Sequence, residues 1–327
     1  MAILGDYING NHRTILYDDG TRIRETGSYV DGKWKADDAD HFTFDFPESF
    51  DLKVTNRCGE MCPWCHENST PDGKEGNLSK LDHLISTIHP GTEIAVGGGD
   101  ALMCPGIIEF LEKLHHHGIV ANLTVNQLTL TRDVDVIKSL MENRLVHGLG
   151  ISLVNSRRMG DLKLIDQLGP NVVIHVIAGI FEDNDIPFVE GRKVLILGYK
   201  DIRRGNKYLG SQFIEVNHNL DMMRNLWQQE LARKCMAVAY DNLAIEQLDP
   251  KFQGILSDEK YNRLYQGNDT DVLDSDGNMT CSTMYIDLPN MQVARMSTAP
   301  MEKRYRFTGD ESIAELMKMT TQGWKNA

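Results

Sequence analysis

From Phe50 onward, apolar and polar positions follow two alternating rhythms. Short apolar runs rich in β-branched residues occupy Phe50–Thr55, Glu93–Val96, Ala121–Val125, Gly148–Val154, Val172–Ala178 and Lys193–Leu197. Their length and composition predict strands. Between them, apolar residues recur at helical spacing. Leu81, Leu84, Ile85 and Ile88 mark a helix over Ser79–Ile88. Pro105–His117 opens on proline and stops at Gly118, as helices do. Val134–Glu142 follows the pattern less strictly, and Arg158–Leu168 ends at Gly169-Pro170. This alternation predicts βαβ units around a parallel sheet. Six strands are too few for a closed eight-stranded barrel. The expected fold class is therefore α/β, an open, partial (β/α)6 barrel of TIM type.

The flanks read differently. Residues 1–47 are polar strands and turns, with Asp19-Gly20 and Asp31-Gly32 as hairpin signals. Past the sixth strand, Asn219–Cys235 predicts a helix, and Met279–Asp287 with Gln292–Ser297 a hairpin turning at Leu288-Pro289-Asn290. Asp310–Thr320 predicts a last amphipathic helix. The expected organisation is a β-rich appendage over 1–47, a core over 48–210, and an α+β extension over 211–327 covering the open side of the barrel.

Bulk properties narrow the function classes. The chain has 327 residues, 41% of them hydrophobic, and a net charge of −13. That charge opposes broad binding to nucleic acid or anionic lipid. The start, MAILGDYING, lacks a basic stretch followed by an apolar run, so no signal peptide is expected. The longest apolar stretch, Val172 to Phe181, is broken by His175 and too short to span a bilayer. The six cysteines, three of them clustered, suit a reducing cytoplasm better than a disulfide scaffold.

The chemistry concentrates in Cys58, Cys62 and Cys65, spaced C-x3-C-x2-C directly after the first core strand. Three thiolates on one polar loop can hold three corners of an iron–sulfur cube and leave one iron without a protein ligand. Chemistry in such α/β folds sits beyond the carboxyl ends of the strands, where this loop lies. Other readings stay open. Cys62-Pro63-Trp64-Cys65 is also a dithiol motif, Cys62 to His66 fits c-type haem attachment, and a zinc site would need a fourth ligand.

Taken together, the motifs resemble the radical S-adenosylmethionine superfamily. The cysteine spacing is that family's signature, with the aromatic Trp64 before the third cysteine. Gly97-Gly98-Gly99-Asp100 is similar to its Gly-Gly-Glu-Pro turn, with aspartate for glutamate and alanine for proline. Gly150–Asn155 is similar to its ribose-contacting segment. His175–Glu182 follows its G-x-I-x-G-x-x-E pattern, except that His175 replaces the first glycine. The resemblance covers about residues 50–200.

It implies a 4Fe–4S cluster on Cys58, Cys62 and Cys65, and S-adenosylmethionine cleaved reductively to a 5′-deoxyadenosyl radical that takes a hydrogen atom from substrate. It also implies cofactor contacts from Trp64, Gly98, Gly99, Asp100, Asn126, Ser152 and Ile177, and an external one-electron reductant such as a flavodoxin or ferredoxin. A small molecule or nucleotide is the expected substrate, with a peptide or protein as the alternative. The rivals from other classes are a thiol–disulfide oxidoreductase and a non-catalytic iron–sulfur or zinc protein. Lys200, Arg203 and Arg204 are candidate clamps for a substrate anion. Cys281 and Tyr285, on one face of a strand, are candidates for relaying a hydrogen atom.

Overall fold

The computed structural model describes residues 2–39, 42–250, 272–273 and 279–322. The appendage is an antiparallel sheet of β1 (Ile3–Asn9), β2 (His12–Tyr17), β3 (Arg22–Val30) and β4 (Lys33–Ala36). Both Asp-Gly signals fall at its turns. Asp31 and Gly32 have φ of 51° and 74°, the positive pair that a tight primed hairpin turn requires.

The core is one sheet of β5 (Ser49–Thr55), β6 (Glu93–Gly98), β7 (Val120–Asn126), β8 (Gly148–Ser152), β9 (Val172–Ile177), β10 (Lys193–Leu197) and β11 (Ala237–Tyr240), each parallel to the next. The first six are the expected strands in the expected order. The seventh, β11, lies beyond the sixth unit and was not foreseen. The sheet also grows at its other edge. Past the short pair β12 (Val272–Leu273) and β13 (Met279–Thr280), β14 (Thr283–Asp287) lies parallel to β5. Then β15 (Gln292–Ala294) and β16 (Arg304–Arg306) continue antiparallel. The ten-stranded order is β11-β10-β9-β8-β7-β6-β5-β14-β15-β16. The expected hairpin at Leu288–Asn290 forms, but its first strand joins the core sheet, so the sheet crosses the boundary expected at 210/211.

The connecting helices are α1 (Asp82–Thr87), α2 (Ile107–His116), α3 (Gln127–Glu142), α4 (Asp161–Asp166), α5 (Ile186–Val189), α6 (Arg204–Ser211), α7 (Phe213–Met222), α8 (Gln228–Lys234), α9 (Asn242–Leu248) and α10 (Ile313–Gln322). A π turn, Met223–Trp227, joins α7 to α8, so the helix expected over 219–235 is longer and interrupted. Helix α3 begins seven residues before the expected Val134, because Asn126 caps it by accepting a hydrogen bond from the Leu128 amide. Non-helical Asp133 (φ −118°) breaks its periodicity where the pattern was least regular.

Alternation along the strands separates two faces. Leu52, Val54, Ile94, Val96, Leu123, Val125, Ile151, Ile174, Val176, Val194 and Ile196 are sealed within the main apolar core, which they share with Leu81, Leu84, Phe110, Leu111 and Leu114 of the helical layer. On the opposite face solvent reaches Asp51, Ala95, Asn122, Thr124, Ser152, His175, Ile177 and Leu195, whereas Lys53 and Gly150 are buried. In a filled barrel both faces would be closed. Here the face away from the helices is a polar, wet hollow.

The appendage sits under the opposite end of the strands from the cysteine loop. Glu48, just before β5, is fully buried and accepts hydrogen bonds from His12 Nε2 (3.0 Å), Thr14 Oγ1 (2.5 Å) and Arg24 Nε (2.7 Å). Arg22 pairs with Glu93 at the start of β6, and Asn171 Nδ2, just before β9, donates to Asp18 O at 2.7 Å. Burial opposes ionisation of Glu48, yet the His12 hydrogen bond and the charges of Arg24 and Arg22 bring its pKa down to about 2.

Because the folded pKa is depressed, the stabilisation is present above the ordinary carboxylate pKa and is lost as pH falls from about 4.5 toward 2. By linkage it amounts to about 3 kcal/mol. Glu48→Ala removes the buried carboxylate that His12, Thr14, Arg22 and Arg24 share, and the expected loss is about 3–5 kcal/mol at neutral pH. Urea unfolding at pH 7 and pH 3 checks both: the variant should lose most of the wild type's acid sensitivity in this range.

Candidate functional site

Strand β5 delivers the chain into a loop that folds back on itself. Asn56 N donates to Lys74 O (2.8 Å), Cys58 N to Thr70 O (2.9 Å) and Thr70 N to Asn56 O (3.1 Å). The glycine turn after β6 is laced onto its start, with Gly99 N donating to Thr55 O and Asp100 N to Arg57 O, each at 2.8 Å. A Cβ on Gly99 would lie 2.2 Å from Arg57 O, so glycine there is required by the seating of the loop. Gly98 adopts φ 120°, which L side chains rarely reach.

Cys58, Cys62 and Cys65 are free and half-buried in this loop. Burial pushes the Cys62 thiol up to about 11, with charge on Cys65, Cys58 and Glu60 adding to the effect, and burial raises Cys58 as well. Three sulfurs that repel one another as thiolates share one neighbourhood, so a cation there is what would let them ionise together. Among the described residues no three His, Cys, Asp or Glu side chains are grouped to hold a metal ion. The thiolate ligands of a cluster bind different irons, so they need not converge on one ion. Asn126 Nδ2, at the end of β7, lies 3.5 Å from Cys62 Sγ as a donor.

Behind the loop is a buried charge network. Lys53, on the inner face of β5, donates to Glu67 Oε2 at 2.6 Å and lies 3.5 Å from Asp287. Tyr285 OH of β14 donates to Glu67 Oε1 at 3.1 Å, and Arg203 to Glu67 Oε2 at 3.1 Å. Burial opposes ionisation of Glu67, but His66 and then Lys53 hold its carboxyl far below the usual range. Burial, followed by the Glu67 charge, raises the Tyr285 phenol.

Several expected roles change. Arg203 also donates to His66 O at 3.1 Å, and Arg204 to Ser69 O at 2.7 Å, so both arginines brace the cysteine loop instead of forming an open anion clamp. Lys200 Nζ lies 3.5 Å from His66 Nε2 and donates to Ser297 Oγ at 3.1 Å. The hydrogen relay is not assembled. Cys281 precedes β14 and packs 4.0 Å from Thr320 Oγ1 of α10, whereas Tyr285 points to Glu67. The chain bends between them, so the shared strand face is lost.

Asp100 caps the short turn Ala101–Met103. It accepts from Leu102 N at 3.2 Å, from Thr129 Oγ1 at 3.3 Å and from Arg132 at 2.6 Å. Its carboxylate is thus engaged, which leaves backbone as the part of this turn able to meet a cofactor.

Trp64 stands edge-on to Tyr208 of α6, ring centres 5.6 Å apart. The two rings wall a cavity of about 200 Å³ that also takes in Leu153, Ile177, Gly179 and Phe181. Ile177 thus meets Trp64 across one cavity. Ser152 lies one residue short of the cavity wall, on the hollow face. Sequence reading missed Lys53, Glu67, Arg132 and Tyr208. Lys53 did carry a signal: a lysine in the centre of an otherwise apolar run, Phe50–Val54.

No protein-family profile matches the sequence, and no curated protein matches it. Among solved structures, Streptococcus suis SuiB bound to S-adenosylmethionine is similar with a TM-score of 0.46 and 12% identity, over 77% of this chain and 61% of that one. SuiB bound to the precursor peptide SuiA gives a TM-score of 0.46 and 12% identity over 77% and 60%. Mycobacterium tuberculosis tryptophan synthase gives 0.30 and 12% over 60% and 83%. This chain thus spans about three-fifths of SuiB's length. Scores this low leave the fold resting on the strand order itself.

Seating the loop on the glycine turn predicts a contrast. Gly99→Ala should cost about 1–3 kcal/mol by overpacking. Gly97→Ala, whose new methyl group would meet nothing closer than Thr124 at 3.9 Å, should cost well under half of that. Thermal unfolding of the two variants in parallel measures the difference.

Proposed function

We propose that this chain is a radical S-adenosylmethionine enzyme. The observation that carries the reading is the C-x3-C-x2-C loop at the carboxyl end of β5, its three thiols in one half-buried neighbourhood beside a glycine turn and above an open hollow. The four sequence motifs lie at the carboxyl ends of β5, β6, β8 and β9. When bound, a 4Fe–4S cluster and S-adenosylmethionine supply a one-electron carbon–sulfur cleavage that yields 5′-deoxyadenosyl radical and methionine.

The protein's own part in this reading is to hold and shield. Cys58, Cys62 and Cys65 ligate, and Asn126 donates to the Cys62 sulfur, a contact that lowers electron density on that ligand. Glu67, Lys53 and Arg203 fix the loop from behind. The backbone of Gly98 and Gly99 lines the approach for the methionine end. Ile177 and Trp64 supply apolar walls for the adenine, and Ser152 stands on the hollow side of the same strand ends for the ribose. Arg203 and Arg204 act as positioning residues. The substrate is a small molecule taken into the hollow, and the electron comes from an external one-electron donor. A peptide held on the appendage would lie at the far end of the strands from the cysteine loop, which makes that alternative the weaker one.

After anaerobic reconstitution with iron and sulfide, dithionite and S-adenosylmethionine should give 5′-deoxyadenosine. Cys62→Ala should abolish it while leaving the circular dichroism unchanged. A reconstituted protein that neither binds nor cleaves S-adenosylmethionine would contradict the proposal.

A further inference from the structure

The start of α3 sends side chains to three separate parts of the site. Asn126 Nδ2 lies 3.5 Å from Cys62 Sγ, and Thr129 Oγ1 donates to Asp100 of the glycine turn at 3.3 Å. Between them, Gln127 turns toward the end of β8 and is fully buried. Its Oε1 accepts from Val154 N at 3.2 Å and from Asn155 N at 3.0 Å. Its Nε2 donates to Asn155 O at 3.1 Å and to Asp161 Oδ2 at 2.8 Å. One amide thus uses both acceptor sites of its oxygen and both hydrogens of its nitrogen. Asp161 Oδ2, which also accepts from Arg158 Nε at 2.9 Å, needs a donor facing it. That need turns Nε2 toward Asp161 and Oε1 toward the two backbone N–H groups.

Val154 and Asn155 belong to no helix or strand. Peptide groups outside a ladder or helix take their partners from side chains or water, and here a buried side chain supplies them. The segment so held is a wall: Leu153, Val154 and Asn155 line the cavity of about 200 Å³ together with Trp64 and Ile177. Gln127 does not line that cavity and acts through residues 153–155. Resting on the enzymatic reading above, we propose that Gln127 is a positioning residue for S-adenosylmethionine, fixing the 153–155 wall against which the nucleoside end of the cofactor packs. Its neighbour Asn126 meets the Cys62 sulfur, so consecutive residues set the cavity wall and the cysteine loop relative to each other.

Two measurements on the reconstituted full chain test this. Amide hydrogen exchange reads the positioning itself: Val154 and Asn155 should exchange slowly in wild type although they lie in a loop. Gln127→Leu removes all four hydrogen bonds at similar bulk and leaves those amides without their acceptor. Their exchange should quicken by about 10- to 100-fold, while the Cys58 and Thr70 amides of the cysteine loop stay as in wild type. A glutamine that only stabilised the fold would quicken both sets together. Calorimetric titration with S-adenosylhomocysteine, which carries the same nucleoside, reads the consequence. Gln127→Leu should bind it about 10- to 100-fold more weakly and keep its reduced-cluster signal. Rapid exchange at Val154 and Asn155 in wild type would overturn the proposal, and that result needs no variant to fold. Wild-type affinity in Gln127→Leu would also overturn it. A wild type that does not bind S-adenosylhomocysteine at all contradicts the enzymatic reading instead, and the exchange contrast then decides alone whether Gln127 holds the wall.

Discussion

The Glu67 carboxylate is the constraint on which the candidate site depends. It lies two residues after the third clustered cysteine and is almost sealed from solvent. Three separate parts of the chain reach it: Lys53 from the first core strand, Arg203 from the start of α6, and Tyr285 from a strand more than 200 residues away in sequence. A buried carboxylate is costly unless compensated, and here the compensation is distributed. The loop therefore cannot shift without uncovering charge on β5, α6 and β14 together. Burial of this kind does not by itself favour stability over an apolar core. Its use lies in fixing one loop position.

The same arrangement explains why the chain past residue 211 belongs to the site. Lys53 and Asp287 stand opposite each other in the β5–β14 register, and Tyr285 stands opposite Asp51. Strand β14 thus supplies one wall of the hollow and one ligand of Glu67. At the other end of the strands, Glu48 performs a related function for the appendage, gathering His12, Thr14 and Arg24 beneath the sheet. Two buried carboxylates, one at each end of β5, hold the two flanking segments to the core. No described helix is long and apolar enough to cross a membrane.

Much of this was legible in the sequence, and the reasons are specific. The six consecutive strands were readable because their helix-facing residues, such as Leu52, Ile94, Leu123 and Ile174, form apolar runs between clear stops. The grouping of Cys58, Cys62 and Cys65 on one loop was readable because their spacing is local. The parallel β5–β14 pairing was not, since no local pattern encodes a partner so distant. Helix α3 was shortened because Asp133 interrupts its period. The bracing of the cysteine loop by Arg203 and Arg204 is not legible, because sequence displays charge but not its partners. The capping by Asp100 is not legible either, because the turn it caps, Ala101–Met103, is too short to show a helical period.

The central claim is that these three thiols hold a cluster whose open position faces the cofactor. The most direct measurement is the electron paramagnetic resonance spectrum of the reduced, reconstituted protein, recorded with and without S-adenosylmethionine. The account predicts a reduced-cluster signal in the wild type whose g-values shift when S-adenosylmethionine is added, and no cluster signal in Cys62→Ala. A cluster signal that S-adenosylmethionine leaves unmoved, or one that survives loss of Cys62, would contradict it.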